Sequence, residues 1–356
     1  MSIRRAADGS IERDDGTVLH FSIDRFVRQV CAGACCMICG RPRAEVTFNR
    51  EHVLPDWLLR RFKLHDRAIR LPNQTGFTYG RYTVSCCVQC NDRMGTLMET
   101  PIREMVTSGY ETLEKRLQGE SPEVLFAWLA FLFLKTHLRD RTLWFNRDRR
   151  NPSPAIGELY EWRELHHIHC LARSIYTGAK FTSGTIGSLL VLPADTSAPL
   201  ELFDYGDLYL GRTVLIRIDD ICIVAALNDS CSSLTAYREE LKIIKGNLSP
   251  LQLREIMVRI AYLNIRLRER PQFYSDIGPE GTVTLCSILP PSMEFEAGTA
   301  DEFGALFYES IKDVLAGSAN ESEIANNVRS GELTFLRDDT GNFNARSMLF
   351  YGTGDT

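Results

Sequence analysis

Cys36-Met-Ile-Cys39 and Cys87-Val-Gln-Cys90 are two Cys-x-x-Cys pairs set on either side of an acid-imidazole dipeptide, Glu51-His52, and the second pair runs directly into Asn91. Four thiolates in two such pairs match the tetrahedral shell of a structural zinc ion, each pair spanning one edge. A shell made only of cysteine leaves no open coordination position, so this zinc braces the chain and performs no hydrolysis. Cys35 and Cys86 adjoin the ligands but lack a partner in register and are expected outside the shell. Between the pairs, a carboxylate suits a hard divalent cation and an imidazole suits proton transfer from water. Arg50 and Arg93 lie near in sequence and could hold a substrate phosphate, although a surface ion pair explains each equally well.

Local patterns indicate how these residues are held. A short strand from Val18 to Ile23 and a helical turn around Phe26 to Val30 precede the first pair, which Gly40 closes with a tight turn. A strand from Ala44 to Phe48 leads to Glu51-His52, and Pro55 is placed to begin a helix with Trp57, Leu58, Leu59 and Phe62 on one face. Residues 72–80 are turn-rich, Arg81 to Ser85 alternates like a strand, and Asn91 to about Val106 reads as a helix. The result is a ββα unit wrapped on zinc. Gly-Glu-Ser-Pro at 119–122 marks a boundary, giving domains at 1–118 and 119–356. The second begins with an apolar helix to about Arg141 and continues with strands near 186–192, 208–210, 213–218 and 221–227. Helices at 233–244 and 251–268, a strand at 282–289 and a helix at 300–315 follow. The fold class expected is α+β, a zinc-stapled ββα-metal module followed by a larger mixed α/β domain.

Cys-x-x-Cys-Gly, then an acidic residue with His and x-x-Pro, then Cys-x-x-Cys-Asn resembles the HNH endonuclease family over roughly residues 33–105. The resemblance implies hydrolysis of DNA phosphodiesters with one catalytic metal. Glu51 matches the first acidic ligand, His52 the general base, and Asn91 the third position, where His or Asn ligates Mg²⁺ or Mn²⁺. Two departures stand out: the acid is Glu in place of the commoner Asp, and the third position is Asn, an HNN-like form. The middle Asn is missing where Arg81, Tyr82 and Thr83 stand, and Asn73 is out of register as a substitute. Double-stranded DNA is the implied partner, and restriction or anti-phage defence is the biology by analogy. A zinc-ribbon-like module that binds nucleic acid or protein without catalysis, and an RNase or toxin using the same residues, remain open alternatives.

Charge is uneven. The 356 residues carry a formal net charge of −5, but residues 1–118 hold 18 Lys/Arg against 14 Asp/Glu, and the remainder nets −9. The basic excess beside the proposed site fits a phosphate backbone. The acidic remainder fits a sensor or an assembly surface, with self-association or a partner protein as its expected use. Eleven cysteines, seven of them in the first 90 residues, point to metal thiolates in a reducing compartment. The longest apolar run, Val124 to Leu134, is 11 residues, and no leader pattern opens the chain, so a cytoplasmic location with no membrane partner is expected. His166, His167, His169 and Cys170 invite a second metal site, yet packed or surface histidines are the commoner outcome. His137 is read as a core histidine. The basic run Arg139, Arg141, Arg147, Arg149 and Arg150 either extends a DNA path or is a solvated loop.

Overall fold

The computed structural model describes residues 3–71, 73, 75–146, 148, 150, 152–197, 202–315 and 320–345, which leaves Arg147 and Arg149 of the basic run outside it. The fold is mixed helix and strand, of the α+β kind. Its strands are β1 (Ile3–Arg5), β2 (Ile11–Arg13), β3 (Val18–His20), β4 (Phe48–His52), β5 (Ala68–Arg70), β6 (Gly76–Thr78), β7 (Thr83–Cys87), β8 (Lys180–Phe181), β9 (Leu189–Pro193), β10 (Phe203–Leu208), β11 (Thr213–Ile218), β12 (Ile221–Ala226), β13 (Gln272–Ile277) and β14 (Val283–Ile288). The helices are α1 (Ile23–Arg25), α2 (Asp56–Arg61), α3 (Val88–Met94), α4 (Thr100–Val106), α5 (Tyr110–Gly119), α6 (Glu123–Asp140), α7 (His166–Thr177), α8 (Ser232–Leu241), α9 (Pro250–Ile265), α10 (Ala300–Leu315) and α11 (Glu321–Arg329).

The chain divides into two compact units built from discontinuous segments. Unit 1 takes Met1–Glu104, Pro122–Ser183 and Phe273–Ser287; unit 2 takes Met105–Ser121, Gly184–Gln272 and Ile288–Thr356. The chain passes from unit 2 to unit 1 between Ser121 and Pro122, and α6 and α7 belong to unit 1. A local breaker shows where the chain turns and is silent on which core the next helix joins.

In unit 1, β4 and β7 form an antiparallel pair, with Phe48 opposite Cys87 at one end and His52 opposite Thr83 at the other. Strand β7 passes straight into α3, and a π-helical segment at Gly95–Glu99 joins α3 to α4, so residues 88–106 form one continuous helical stretch. Helix α6 is apolar around nearly its whole circumference and is buried along almost all of its length, as such a helix must be. It packs on α7 and on β7. Pro55 caps α2, fixing its backbone for entry into the helix.

Unit 2 contains the antiparallel sheet β10-β11-β12-β9. Strands β11 and β12 match the sequence expectation closely and are buried at every position, Thr213–Ile218 and Ile221–Ala226. Helix α9 packs on both and carries Leu253, Ile256, Met257 and Ile260 into the core with Phe303 and Phe307 of α10. Its start is a capping box in which Ser249 and Gln252 satisfy each other's backbone N–H groups, with Pro250 as first residue. No helix among the described residues is long and apolar enough to cross a membrane.

Candidate metal centre and the Glu51–His52 site

Cys36, Cys39, Cys87 and Cys90 converge with their sulfur atoms all within 4.8 Å of one another, and all four are buried. The Cys39 and Cys87 sulfurs are 3.8 Å apart. That equals the edge of a tetrahedron whose centre is about 2.3 Å from each corner, the zinc–thiolate distance, and is far beyond a disulfide bond. The turn between the first two ligands is made by backbone: Gly40 N–H donates to the Cys36 carbonyl at 2.9 Å, and Cys36 N–H to Arg41 at 2.9 Å. Gly40 adopts φ +79°, and a Cβ there would run into Val18 and Phe21. Cys87 ends β7 and caps α3, which places Cys90 in the first turn of that helix. Burial pushes the Cys35 thiol up to about 12, so it stays protonated beside the cage.

Helix α7 clamps the loop that carries the first two ligands. His169 Nε2–H donates to Met37 O at 2.8 Å, and His166 Nε2–H to Phe21 O at 2.8 Å. The buried Arg173 guanidinium donates to the carbonyls of Ile38, Leu19 and Val18. No carboxylate pairs with this arginine among the described residues; burial lowers its pKa, and Cys170, Tyr176 and the cage residues Cys36 and Cys39 act the other way. Four thiolates around Zn²⁺ carry a net charge of −2, so a buried cation beside them answers a need that a set of neutral thiols would not create. The residues present therefore fit a structural zinc ion.

The other end of the β4–β7 ribbon is built differently. Glu51 and His52, at the end of β4, take different partners. One oxygen of Glu51, Oε1, accepts from Lys135 Nζ of α6 at 2.7 Å, and the same ammonium donates to His52 O at 2.8 Å. Lys135 is wholly buried, and the Glu51 side chain is 12% exposed. Oε2 of Glu51 has no hydrogen-bond partner among the described residues. Burial raises the pKa of the nearby Glu99 carboxyl, while the Lys135 ammonium acts to lower it.

His52 Nε2–H donates to Gly80 O at 3.3 Å. A carbonyl can only accept, so this contact puts the proton on Nε2 and leaves Nδ1 as the basic nitrogen. Gly80 fits because a side chain there would press on His65. Asn73 turns elsewhere, donating to Trp144 O at 2.8 Å and accepting from Thr75 N–H at 3.0 Å. The Gly80 carbonyl thus orients His52.

Set against known proteins, the chain matches no family model, no curated protein and no solved structure. Function is therefore read from side chains. Asn91 sits half-buried in the first turn of α3, next to the cage ligand Cys90. Arg50 is exposed on β4, and Arg93 lies over the ring of Tyr176 at 4.7 Å. One cluster escaped sequence reasoning, and a second was seen only in its His166 and Cys170. His52, Asp56 and His65 bring donor atoms within 4.8 Å of one another, with His65 Nε2 at 3.2 Å from Asp56 Oδ1. The His52-x-x-x-Asp56 spacing was the visible half of that signal. His20, His166 and Cys170 also converge within 4.8 Å, joining strand β3 to the histidine-rich helix.

Proposed function

We propose that this chain is a metal-dependent endonuclease acting on DNA. One observation carries the reading. Glu51 and His52 end a strand paired residue for residue with β7, and β7 ends on the cage cysteine Cys87 and runs into the helix bearing Cys90 and Asn91. This is the strand, strand and helix order of the HNH family that the sequence resembles, with the thiolate cage at its base. A divalent ion held by Glu51 Oε2 and Asn91 would stabilise the charge that develops on the leaving oxygen. His52, oriented by Gly80, takes the proton from the attacking water through Nδ1. Lys135 holds Glu51 and the end of β4 in place.

The test is plasmid nicking in Mg²⁺ by the full chain and by His52→Ala and Glu51→Gln variants. Loss of at least about a hundred-fold is expected in each, the contribution of a positioned acid-base group. Undiminished cleavage by His52→Ala sinks the mechanism.

The Glu51–Lys135 pair favours a second reading, in which the carboxylate serves only as counter-ion for a buried lysine and the zinc module binds without cutting. Under that reading Glu51→Gln lowers stability, and the wild-type chain releases no nicked product on DNA or RNA.

A further inference from the structure

Several arginines of the molecule meet carboxylates: Arg25 pairs with Glu12, Arg254 with Asp204, Arg259 with Glu255 and Arg268 with Glu294. Arg43, Arg50, Arg81, Arg139 and Arg141 do not. They line one cleft of about 360 Å³ in unit 1, set against Thr83 and Ser85 of β7 and the C-terminal end of α6. No Asp or Glu lines this cleft, and none of the five has a carboxylate partner among the described residues. The acid next to them in sequence, Asp140, is buried under the Tyr82 hydroxyl, 2.7 Å away. Burial pushes it up to about 7, which leaves it only partly charged near neutrality.

The guanidinium groups are oriented without being neutralised. Arg139 lies 4.8 Å from the ring centre of Phe77, Arg81 5.7 Å from the same ring, and Arg43 4.4 Å from Phe48. Aromatic faces attract such cations but supply no countercharge. Five like charges gathered in one concavity raise its potential and draw anions into it. The guanidinium fork matches phosphate oxygens, and spreading five forks along a cleft suits several phosphates in a row better than one.

We infer that this cleft seats the sugar-phosphate backbone of one nucleic-acid strand, by charge and spacing and without reading bases. The inference rests on the nuclease reading for its choice of polyanion, and Arg50 lies two residues from His52, on the same face of β4. It adds Arg139 and Arg141, from outside the ribbon and helix that carry the proposed chemistry, and it makes binding separable from cutting.

The experiment uses the full-length chain in magnesium-free buffer, with a labelled oligonucleotide of mixed sequence, single-stranded and duplex, followed by fluorescence anisotropy over a series of salt concentrations. Arg50→Gln/Arg81→Gln, at two exposed positions, should weaken binding by about ten-fold or more and flatten the log-log salt slope by roughly 1.5, since each lost phosphate contact removes about 0.7 to 0.9. Arg50→Lys/Arg81→Lys should restore most of the slope, because charge is what counts. Unchanged affinity and slope in the Gln variant, or competition by tripolyphosphate as effective as by oligonucleotide at equal phosphate, overturns the inference. The two readings fail separately. Binding without any cleavage sinks the nuclease and leaves the cleft standing; cleavage and binding indifferent to these arginines sink the cleft alone.

Discussion

The two ends of the β4–β7 ribbon are a few residues apart and obey different rules. At the Cys87 end four buried sulfurs meet, and the residues around them, His166, His169 and Arg173, spend their polar atoms on backbone carbonyls. At the His52 end the side chains are half-buried, and a buried lysine grips one oxygen of Glu51 while the other oxygen has no partner among the described residues. The first end is dry and fixes geometry, its few unpartnered polar atoms, such as His169 Nδ1, being buried away from solvent. The second is left with donor and acceptor capacity that folding does not consume, which is where chemistry or ligand binding can be added. Breaking each end should therefore have different consequences.

The largest effect is expected at the cage. Structural zinc in small domains contributes on the order of 10 kcal/mol of apparent folding free energy, so Cys87→Ser or prolonged chelation should unfold unit 1. Metal analysis should show one zinc per chain falling to none, with loss of the cooperative transition of that unit. A fully folded, zinc-free Cys87→Ser chain would show that the sulfurs merely pack. His52→Ala, by contrast, should keep both zinc and stability, since among the described residues its ring makes the Gly80 contact and ring contacts such as that with His65 at 5.9 Å.

The next effect concerns Lys135. Replacing one partner of a buried ion pair leaves the other charge uncompensated, and Lys135→Met should destabilise unit 1 by about 3–5 kcal/mol in urea denaturation. Glu51→Gln/Lys135→Met should recover much of that loss. A Lys135→Met chain as stable as wild type would mean that Glu51 is already satisfied by other means, and the contrast between the two ends would weaken.

Lys135 also shows what the sequence could and could not reveal. A lone ammonium in a helix as apolar as α6 signals a buried partner, but the partner lies 84 residues earlier, and nothing in local periodicity names it. The cage was legible because its ligands come in short, rigid spacings, and β11, β12 and α10 were legible because their apolar patterns match their period. The arginine cleft was half legible: Arg139 and Arg141 stood out as a basic run, yet their meeting with Arg50 and Arg81 depends on α6 docking beside β7, a long-range event. Helix α7 was seen only as a histidine cluster, because its histidines face carbonyls contributed by Phe21 and Met37, more than a hundred residues earlier.

The smallest effect separates the two ends by pH. On the cage side, burial holds His20 down to about 4, and it lowers His166 and His169 as well. The unfolded chain binds protons at these histidines at pH values where the folded one does not, so this end loses stability as pH falls below about 6.5. On the other side, Tyr82 hands its backbone carbonyl to Val53 and its hydroxyl to Asp140, whose carboxyl burial pushes up to about 7. Here the folded state holds the proton more tightly than the unfolded one, so stability is present at low pH and drains away as pH rises from about 4 to about 7. Asp140→Asn keeps an acceptor for Tyr82 and cannot ionise. Its advantage over wild type should therefore grow by roughly 2–3 kcal/mol between about pH 5 and about pH 8, at about 1.4 kcal/mol per pKa unit. His169→Gln, which retains an N–H for Met37, should instead flatten the acid side of the curve. If Asp140→Asn tracks wild type in parallel across that range, the carboxyl ionises as freely in the folded chain as in the unfolded one. The Tyr82–Asp140 bond would then be a solvated contact, and a full negative charge would stand between Arg139 and Arg141 in the chain.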